Sequence, residues 1–425
     1  MASLASLWTA SESVGRIATS RLGDEVSAEI AIIGAGFTGL AAALHAAEGG
    51  ADTVLLEAES IGFGASGRNG GQVNPGLKHG EAALAARFGE AGRCFYRMGQ
   101  EAPDFLGDLV ARKNLRCHFA RPGLIRLAHN AAAMKTIEEA ADAMTKEGIA
   151  VELLSRDDVQ SRVGTVRYVG GLRDARGGSV HPLELALELA RVAQESGVRI
   201  FSASPATSLT RAGDRWRIAT PSGAVMARKV VVATNAYTDA LVPGLAASVL
   251  PVNSFQIATA PLAQSVDILP GNEMVYDSRR LVLYFRRSPD NRVVLGGRAS
   301  FLSGRSTSAQ VADYSVLEGV LLGIFPQLKG VAIDYRWTGL VGITFDYLPH
   351  YHVLADDLHV MLGYNGRGVA LANRAGAWLG RKLTGQADPH DIPAVPIKAI
   401  PFHRFRSTLL NVGMQWNRVL DLIGR

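Results

Sequence analysis

The sequence predicts an α/β domain built on a parallel sheet and interrupted along the chain by a second, mainly antiparallel-sheet domain. Three observations predict it. A strand at about 28–33, a helix near 37–48 and a strand at Thr53–Glu57 form a βαβ unit. After about residue 245 the pattern changes to short β-rich runs separated by Pro, Gly and Asn. Near residue 358 strand, Gly turn and helix return, in LHVMLGYNGRGVALANRAGAWLGRKLTG.

Taken in order, residues 81–113 and 131–147 read as helices. His181-Pro182 opens LELALELARVAQES, with Pro in the first helical turn and Gly197 at the end. Strands follow at 198–201, Trp216–Thr220 and 229–234. The β-rich middle holds Asn253–Ala258, Leu281–Arg286 and Arg292–Gly296. On this reading residues 1–95, 150–245 and 355–395 make a discontinuous Rossmann-type domain. Residues 96–149 and 246–354 make the inserted substrate domain, and 396–425 a C-terminal amphipathic helix.

A chain of 425 residues, 48% hydrophobic and 20% charged, is neither disordered nor a disulfide-stapled miniature. Its two cysteines, Cys94 and Cys117, form no CxxC or metal pattern, so neither a metal site nor a disulfide framework is expected. They fit a reduced, cytoplasmic protein. The net charge of +5 is scattered, without the basic patch that nucleic acid requires. The N-terminal stretch lacks the basic and apolar regions of a secretory signal. The apolar run Ile30 to Ala47 carries glycines at fixed spacing and is flanked by Glu29 and Glu48. It reads as strand, turn and buried helix rather than a membrane span.

The chemistry begins at the turn of the βαβ unit. Gly34-Ala35-Gly36-Phe37-Thr38-Gly39 is a GxGxxG between strand and helix. Glycine there allows a tight turn, lets a pyrophosphate touch backbone and lets the helix pack on the sheet. Glu57, followed by Ala58, ends the next strand and is placed to accept from ribose hydroxyls, which disfavours a 2′-phosphate. This predicts dinucleotide binding and does not separate FAD from NAD. A second loop follows, with Ser66, Gly67, Arg68, Asn69, Gly70, Gly71 and Gln72. It offers many backbone N–H groups in a row. A third motif, Gly363, Tyr364, Asn365, Gly366, Arg367, Gly368 and Val369, is another helix mouth with small residues.

In the runs IIGAGFTGLAAALH, IGFGASGRNGGQVNPGLKHG and GYNGRGVALA the chain resembles the FAD-dependent D-amino-acid-oxidase superfamily. Within it the γ-glutamylputrescine oxidase branch is the most similar. The resemblance implies FAD as cofactor, with the second loop on its pyrophosphate and ring. The third motif would lie against the pyrimidine side of the flavin, where its dipole stabilises negative charge. It also implies cofactor contacts from the 204–209 segment, which contains Ala206, and from 231–238, which contains Thr234. Neither cysteine lies in these motifs, so the FAD is expected to be noncovalent.

Candidates on the substrate side are His79, Tyr284, Arg286, Trp337 and Arg367. His79 closely follows the second loop. Tyr284 and Arg286 share a strand face, where an aromatic could form part of an amine cage. Trp337 opens a segment that in the resembling family borders the active site, and Arg367 could meet flavin or an acidic substrate group. Asp346 reads as holding a turn before Pro349. Superfamily members that take α-amino acids usually clamp the carboxylate with an arginine in a GLRP-like segment. Here that stretch is Gly339-Leu340-Val341-Gly342, with valine in the arginine position.

The expected function is FAD-dependent oxidation of a C–N bond in a primary or secondary amine, γ-glutamylated at its far end in one version. O₂ or an unidentified electron acceptor takes the electrons. Alternatives are a D-amino-acid, glycine or sarcosine-type oxidase and, more remotely, an NAD-dependent dehydrogenase. In the tail, Phe405, Leu409, Val412, Trp416, Val419 and Ile423 recur at helical spacing. Docking onto the protein's own surface is favoured there over a membrane.

Overall fold

The run EVSAEIAII (Glu25–Ile33) carries an apolar, fully buried second half and forms the centre of the first sheet. It pairs in parallel with Thr53–Leu56 on one side and Ala224–Val232 on the other. Leu358–Leu362 and Arg199–Phe201 extend the sheet, again in parallel. Antiparallel partners close one end (His350–Ala355) and form a side meander (Ser208–Ala212 with Arg215–Ala219). Strands buried on both faces need continuous apolar sequence, which TVLL and LHVML supply.

This computed structural model describes residues 6–263, 265–300, 313–401 and 403, with the side chains of 298–300 excepted. Of the expected 396–425 helix, residues 404–425, including Phe405 to Ile423, lie outside the described residues. Residues 396–400 run without helical structure.

One face of the first sheet is covered by three helices, Phe37–Glu48, Pro182–Glu195 and Gly368–Leu383. The first and last of these pack at close range because their contact is made of small residues. A Cβ on Gly376 or Gly380 would collide with the Thr38 or Ala42 carbonyl of the facing helix. The first and third sequence motifs are thereby brought together: Thr38 Oγ1 and the Tyr364 hydroxyl are 2.7 Å apart.

The second sheet runs, in spatial order, Ile333–Ile343, Leu250–Thr259, Val293–Ser300, Tyr284–Arg287, Met274–Asp277, Leu124–Ala128, Gly170–Asp174 and Val151–Leu154. Its pairings are antiparallel except between Met274–Asp277 and Leu124–Ala128. The expected domain borders shift in two places. The strands Val151–Leu154 and Gly170–Asp174 belong to this sheet and not to the first, because Gly170–Asp174 pairs with Leu124–Ala128 and Val151–Leu154 pairs in turn with Gly170–Asp174. The strand at 350–355 belongs to the first sheet, which it caps. The helical stretch at 81–113 divides into Glu81–Phe88 and Glu90–Lys113, broken at Gly89 with φ of 61°.

Candidate active site

The glycines of the first motif act through what they leave out. Gly34 has φ of 108°, a region that favours glycine, and a Cβ there would come within 2.9 Å of the Ala233 carbonyl oxygen. A Cβ on Gly39 would collide with the carbonyl oxygen of Gly34, so only glycine lets this helix start so close to the strand. Gly36 caps the helix without a side-chain bond, and the Phe37 N–H donates to Ser66 Oγ at 3.0 Å. The first helical turn therefore opens onto a cavity of about 430 Å³, lined by Gly34, Gly36, Phe37 and Thr38.

The second and third motifs line the same cavity through Ser66, Asn69, Tyr364, Asn365, Gly366, Gly368 and Val369. Glu57, Ala58, Ala206 and Thr234 line it as well, with Tyr237 and Val341. At its mouth the last helix is capped by Arg367, whose side chain makes no cap hydrogen bond to that helix. Two helix N-termini thus face one cleft, a natural place for phosphate and other anionic groups. Glu57 accepts from the Ala35 and Glu59 N–H groups at 2.8 and 2.9 Å. Burial pushes its carboxyl above the ordinary range, although those N–H groups pull the other way. Further hydroxyl donors would reduce the cost of keeping it ionised. The cradle therefore fits a dinucleotide.

Several expected contact residues work one layer back. A Cβ on Gly67 would strike the Gly62 carbonyl, and one on Gly363 would strike the Thr344 methyl. Arg68 Nε donates to Phe63 O at 2.9 Å, with the guanidinium 5.2 Å from the Phe63 ring centre. Gln72 Nε2 donates to Val275 O at 2.9 Å and so ties the loop to the second sheet. Gly70 lies under the Tyr284 ring, where a Cβ would approach to 2.8 Å. Gly71, with φ of 70°, turns the chain where a Cβ would strike Val180 O and the Arg286 guanidinium.

The five substrate-side candidates divide. Tyr284 faces the loop, its hydroxyl 3.0 Å from Ser254 Oγ, and burial pushes its pKa to about 12. Arg286 shares that face but is 3% exposed. Its Nη1 donates to the carbonyls of Val180 (2.7 Å), Gly71 (3.2 Å) and Gly70 (3.3 Å). It staples the loop and does not line the cavity. Trp337 is fully buried and donates to Arg68 O at 3.0 Å. His79 does not line the cavity, and its Nε2 donates to the Asp346 carbonyl at 2.7 Å. Arg367 Nη1 donates to Pro75 O at 2.9 Å.

Asp346 holds its turn as expected, accepting from Leu348 N and His350 Nε2 and pairing with Arg87 at 2.8 Å. Burial opposes its ionisation, but these partners outweigh burial and hold the carboxyl well below the usual range. Neither cysteine lines the cavity, and burial pushes the Cys117 thiol up to about 12. Among the described residues no cluster of His, Cys, Asp and Glu could hold a metal ion. None of the described helices is long and apolar enough to cross a membrane.

Two contributors gave no periodic or motif signal. Trp8 is fully buried, donates to Asn69 O at 2.8 Å and packs edge-on against Trp337 and His181. Gln256 donates through Nε2 to Arg68 O at 2.5 Å and leaves its buried Oε1 without a partner near Gly70. Gln256 lies in the strand LPVNSFQIAT beside other polar residues, so nothing in the sequence set it apart.

A βαβ glycine turn, an acid after the second strand and a returning helix mouth around one cleft, with a second sheet packed against the glycine loop, define a dinucleotide-dependent oxidoreductase. Residues 29–382 match the family model for FAD dependent oxidoreductases, and the chain belongs to that family. The nicotinamide alternative is thereby set aside, and the protein is an FAD-dependent enzyme. The gamma-glutamylputrescine oxidoreductase of Escherichia coli is 34% identical over 375 residues, 87% of each chain. A probable oxidoreductase, OrdL, of Haemophilus influenzae is 33% identical over 93% of this chain and 92% of its own. Glycine oxidase from Geobacillus kaustophilus shares the fold with a TM-score of 0.76 at 18% identity, over 88% of this chain and 99% of that one.

Proposed function

We propose that this enzyme oxidises the C–N bond of a primary or secondary amine whose reacting carbon carries no α-carboxylate, giving an imine that water hydrolyses. Its similarity to a gamma-glutamylputrescine oxidoreductase suggests a γ-glutamylated polyamine as one such substrate. The observation that carries the reading is Val341. It lines the cleft in the stretch where α-amino-acid oxidases of the family place a guanidinium, and it offers no donor. Arg286 does not replace that clamp, since its Nη1 already serves three loop carbonyls.

Bound FAD supplies the two-electron acceptor for this chemistry. The chain binds it through Gly34, Gly36, Glu57, Ser66, Asn69 and the 363–369 turn, without a covalent link, since both cysteines lie elsewhere. Tyr284 and Trp337 support the glycine loop, the first against Gly70 and the second through its bond to Arg68 O. Gln256 Oε1 is an acceptor for an N–H donor in the site. An amine arriving deprotonated needs no strong base from the protein. O₂ or another acceptor takes the electrons. The free cysteines support a reduced compartment, which we take to be the cytoplasm.

Anaerobic mixing of the yellow protein with an amine panel tests this. Bleaching by γ-glutamylputrescine or simple amines, with lower kcat/KM on D-alanine, glycine and sarcosine, is expected. Higher kcat/KM on the small α-amino acids would overturn it.

A further inference from the structure

We infer that Asn235 is a cofactor-binding residue, whose side chain holds the 363–369 turn with its oxygen and donates to an oxygen of bound FAD with its nitrogen. The inference rests on the FAD dependence of the family and not on the choice of substrate.

The backbone marks the position first. Asn235 opens a single 3₁₀ turn, Asn235–Tyr237, just after the strand Ala224–Val232. Its φ is 45°, in the left-handed region that glycine enters freely and other residues enter under strain. Asparagine tolerates the region better than most, yet glycine would sit there with no penalty. A strained position that keeps a side chain points to a use for it.

The side chain lies where three parts of the molecule converge. Asn235 Oδ1 accepts the Gly363 N–H at 2.9 Å and so holds the first residue of the third motif. Gly342, near the end of the strand Ile333–Ile343, leaves room for it, since a Cβ there would come within 2.5 Å of Oδ1. The Gly342 carbonyl in turn accepts the Asn365 N–H at 3.1 Å. Two residues on, the Tyr237 ring lies against Gly64, where a Cβ would meet it at 2.7 Å. The same ring stands edge-on to Phe63, with centroids 6.5 Å apart. The turn is thus fixed from both walls of the cavity, and Asn235 itself lines that cavity.

The bond to Gly363 decides which way the amide points. A backbone N–H needs an acceptor, so the oxygen faces Gly363 and the NH₂ group faces elsewhere. Nδ2 makes no hydrogen bond among the described residues, and it is not sealed off from the space around it. Two N–H donors are therefore left on a residue that lines the cavity. Two residues upstream, the Ala233 carbonyl is what a Cβ on Gly34 would meet at 2.9 Å. Asn235 thus stands between the glycine turn of the first motif and the turn of the third. The matching acceptors are the oxygens of the cofactor between its pyrophosphate and its ring. An uncharged amide donor serves a phosphoryl oxygen or a ribityl hydroxyl alike.

Two substitutions separate holding the turn from binding the cofactor. Both are read as FAD affinity, from flavin fluorescence on serial dilution of the loaded protein without substrate. Asn235→Gly suits the left-handed backbone, keeps the turn and loses both contacts. FAD should bind roughly 5–100-fold more weakly, the range from a neutral to a charge-assisted hydrogen bond. Asn235→Asp keeps an oxygen for the Gly363 N–H but turns a carboxylate oxygen toward the acceptor. It should bind FAD at least as weakly as Asn235→Gly. Wild-type affinity in Asn235→Asp would show that the side chain serves Gly363 alone and would overturn the contact. Wild-type affinity in Asn235→Gly would overturn it as well, and decides the matter should Asn235→Asp fail to fold. No amine enters the measurement, so its failure leaves the amine-oxidase reading standing. Failure of every amine to bleach the flavin would overturn that reading and leave this contact standing.

Discussion

On the cofactor side of the cleft the chain presents peptide groups; on the substrate side it presents side chains. The cofactor side is made by three short stretches: 34–39 and 363–368, whose Gly34, Gly36, Gly366 and Gly368 line the cavity, and 66–71, which lines it through Ser66 and Asn69. The second sheet meets the glycine loop with single side chains from distant strands: Gln256 and Trp337, which donate to Arg68 O, and Tyr284, which packs against Gly70. A backbone-built surface tolerates few substitutions because any Cβ fills the space it needs. A side-chain-built surface can exchange residues one at a time and so change its ligand while the fold stays. On the reading proposed above, the first region binds the cofactor and the second chooses the substrate.

The harshest way to break the comparison is Gly39→Val. Its Cβ would come within 1.9 Å of the Gly34 carbonyl oxygen, which is backbone and cannot step aside. The helix would leave the strand, and the protein should purify colourless or insoluble. Retention of stoichiometric FAD, read from visible absorbance, would show that the turn is not built on this contact.

Trp8→Ala comes next. The ring is fully buried between Trp337, His181 and the Arg286 guanidinium and donates to Asn69 O. Truncation should cost about 3–5 kcal/mol in urea unfolding, as for other buried large aromatics. FAD should dissociate faster, since the loop loses its rear support. An unfolding midpoint equal to wild type would mean the N-terminal segment is not part of the loop's foundation.

These two residues also show what was legible in the sequence. Gly39 was readable because the constraint is local: a glycine at fixed spacing between a strand and a helix needs no knowledge of the rest of the chain. The same holds for Glu57 and the 363–368 turn, which come to one cavity as the parallel sheet requires. Trp8 was not readable, because its value lies in partners 61 and more residues away, starting with Asn69. Arg286 was read as a substrate ligand since nothing local announces that its Nη1 reaches Val180, 106 residues distant. The domain border at 150 was misplaced for a similar reason. Residues 170–174 join this sheet by pairing with 124–128, and 151–154 by pairing with 170–174, choices that local pattern does not encode.

Arg286→Met sharpens the comparison from the other side. The residue is on a strand of the substrate sheet, yet its Nη1 supports the cofactor loop. Its loss should destabilise the protein by about 1.5–3 kcal/mol, the scale of a charge-assisted hydrogen bond. FAD affinity should fall, while the kcat/KM ratio between γ-glutamylputrescine and its carboxamide stays as in wild type. A shift in that ratio would place Arg286 among the residues that read the substrate.

The smallest effect is expected at Asp346, which fixes the turn that leads into the strand His350–Ala355. Its carboxylate holds His350, Arg87 and the Leu348 N–H, while its carbonyl receives His79. The folded protein therefore binds a proton there less readily than the unfolded chain, whose ordinary value is 3.8. A depressed carboxyl contributes stability that is fully present above about pH 4, near the unfolded value. It fades as the pH falls through the lower folded value. Asp346→Asn should lose roughly 1 kcal/mol at pH 7, limited by the partial exposure of the Arg87 partner. The gap between variant and wild type in urea unfolding should hold from pH 7 to pH 5 and narrow below pH 4. FAD content should not change, because the residue does not line the cofactor cavity. A gap that widens in acid would reverse the sign and show that the carboxyl is strained in the turn. A loss of FAD would show that this turn supports the cofactor side and not the substrate side alone.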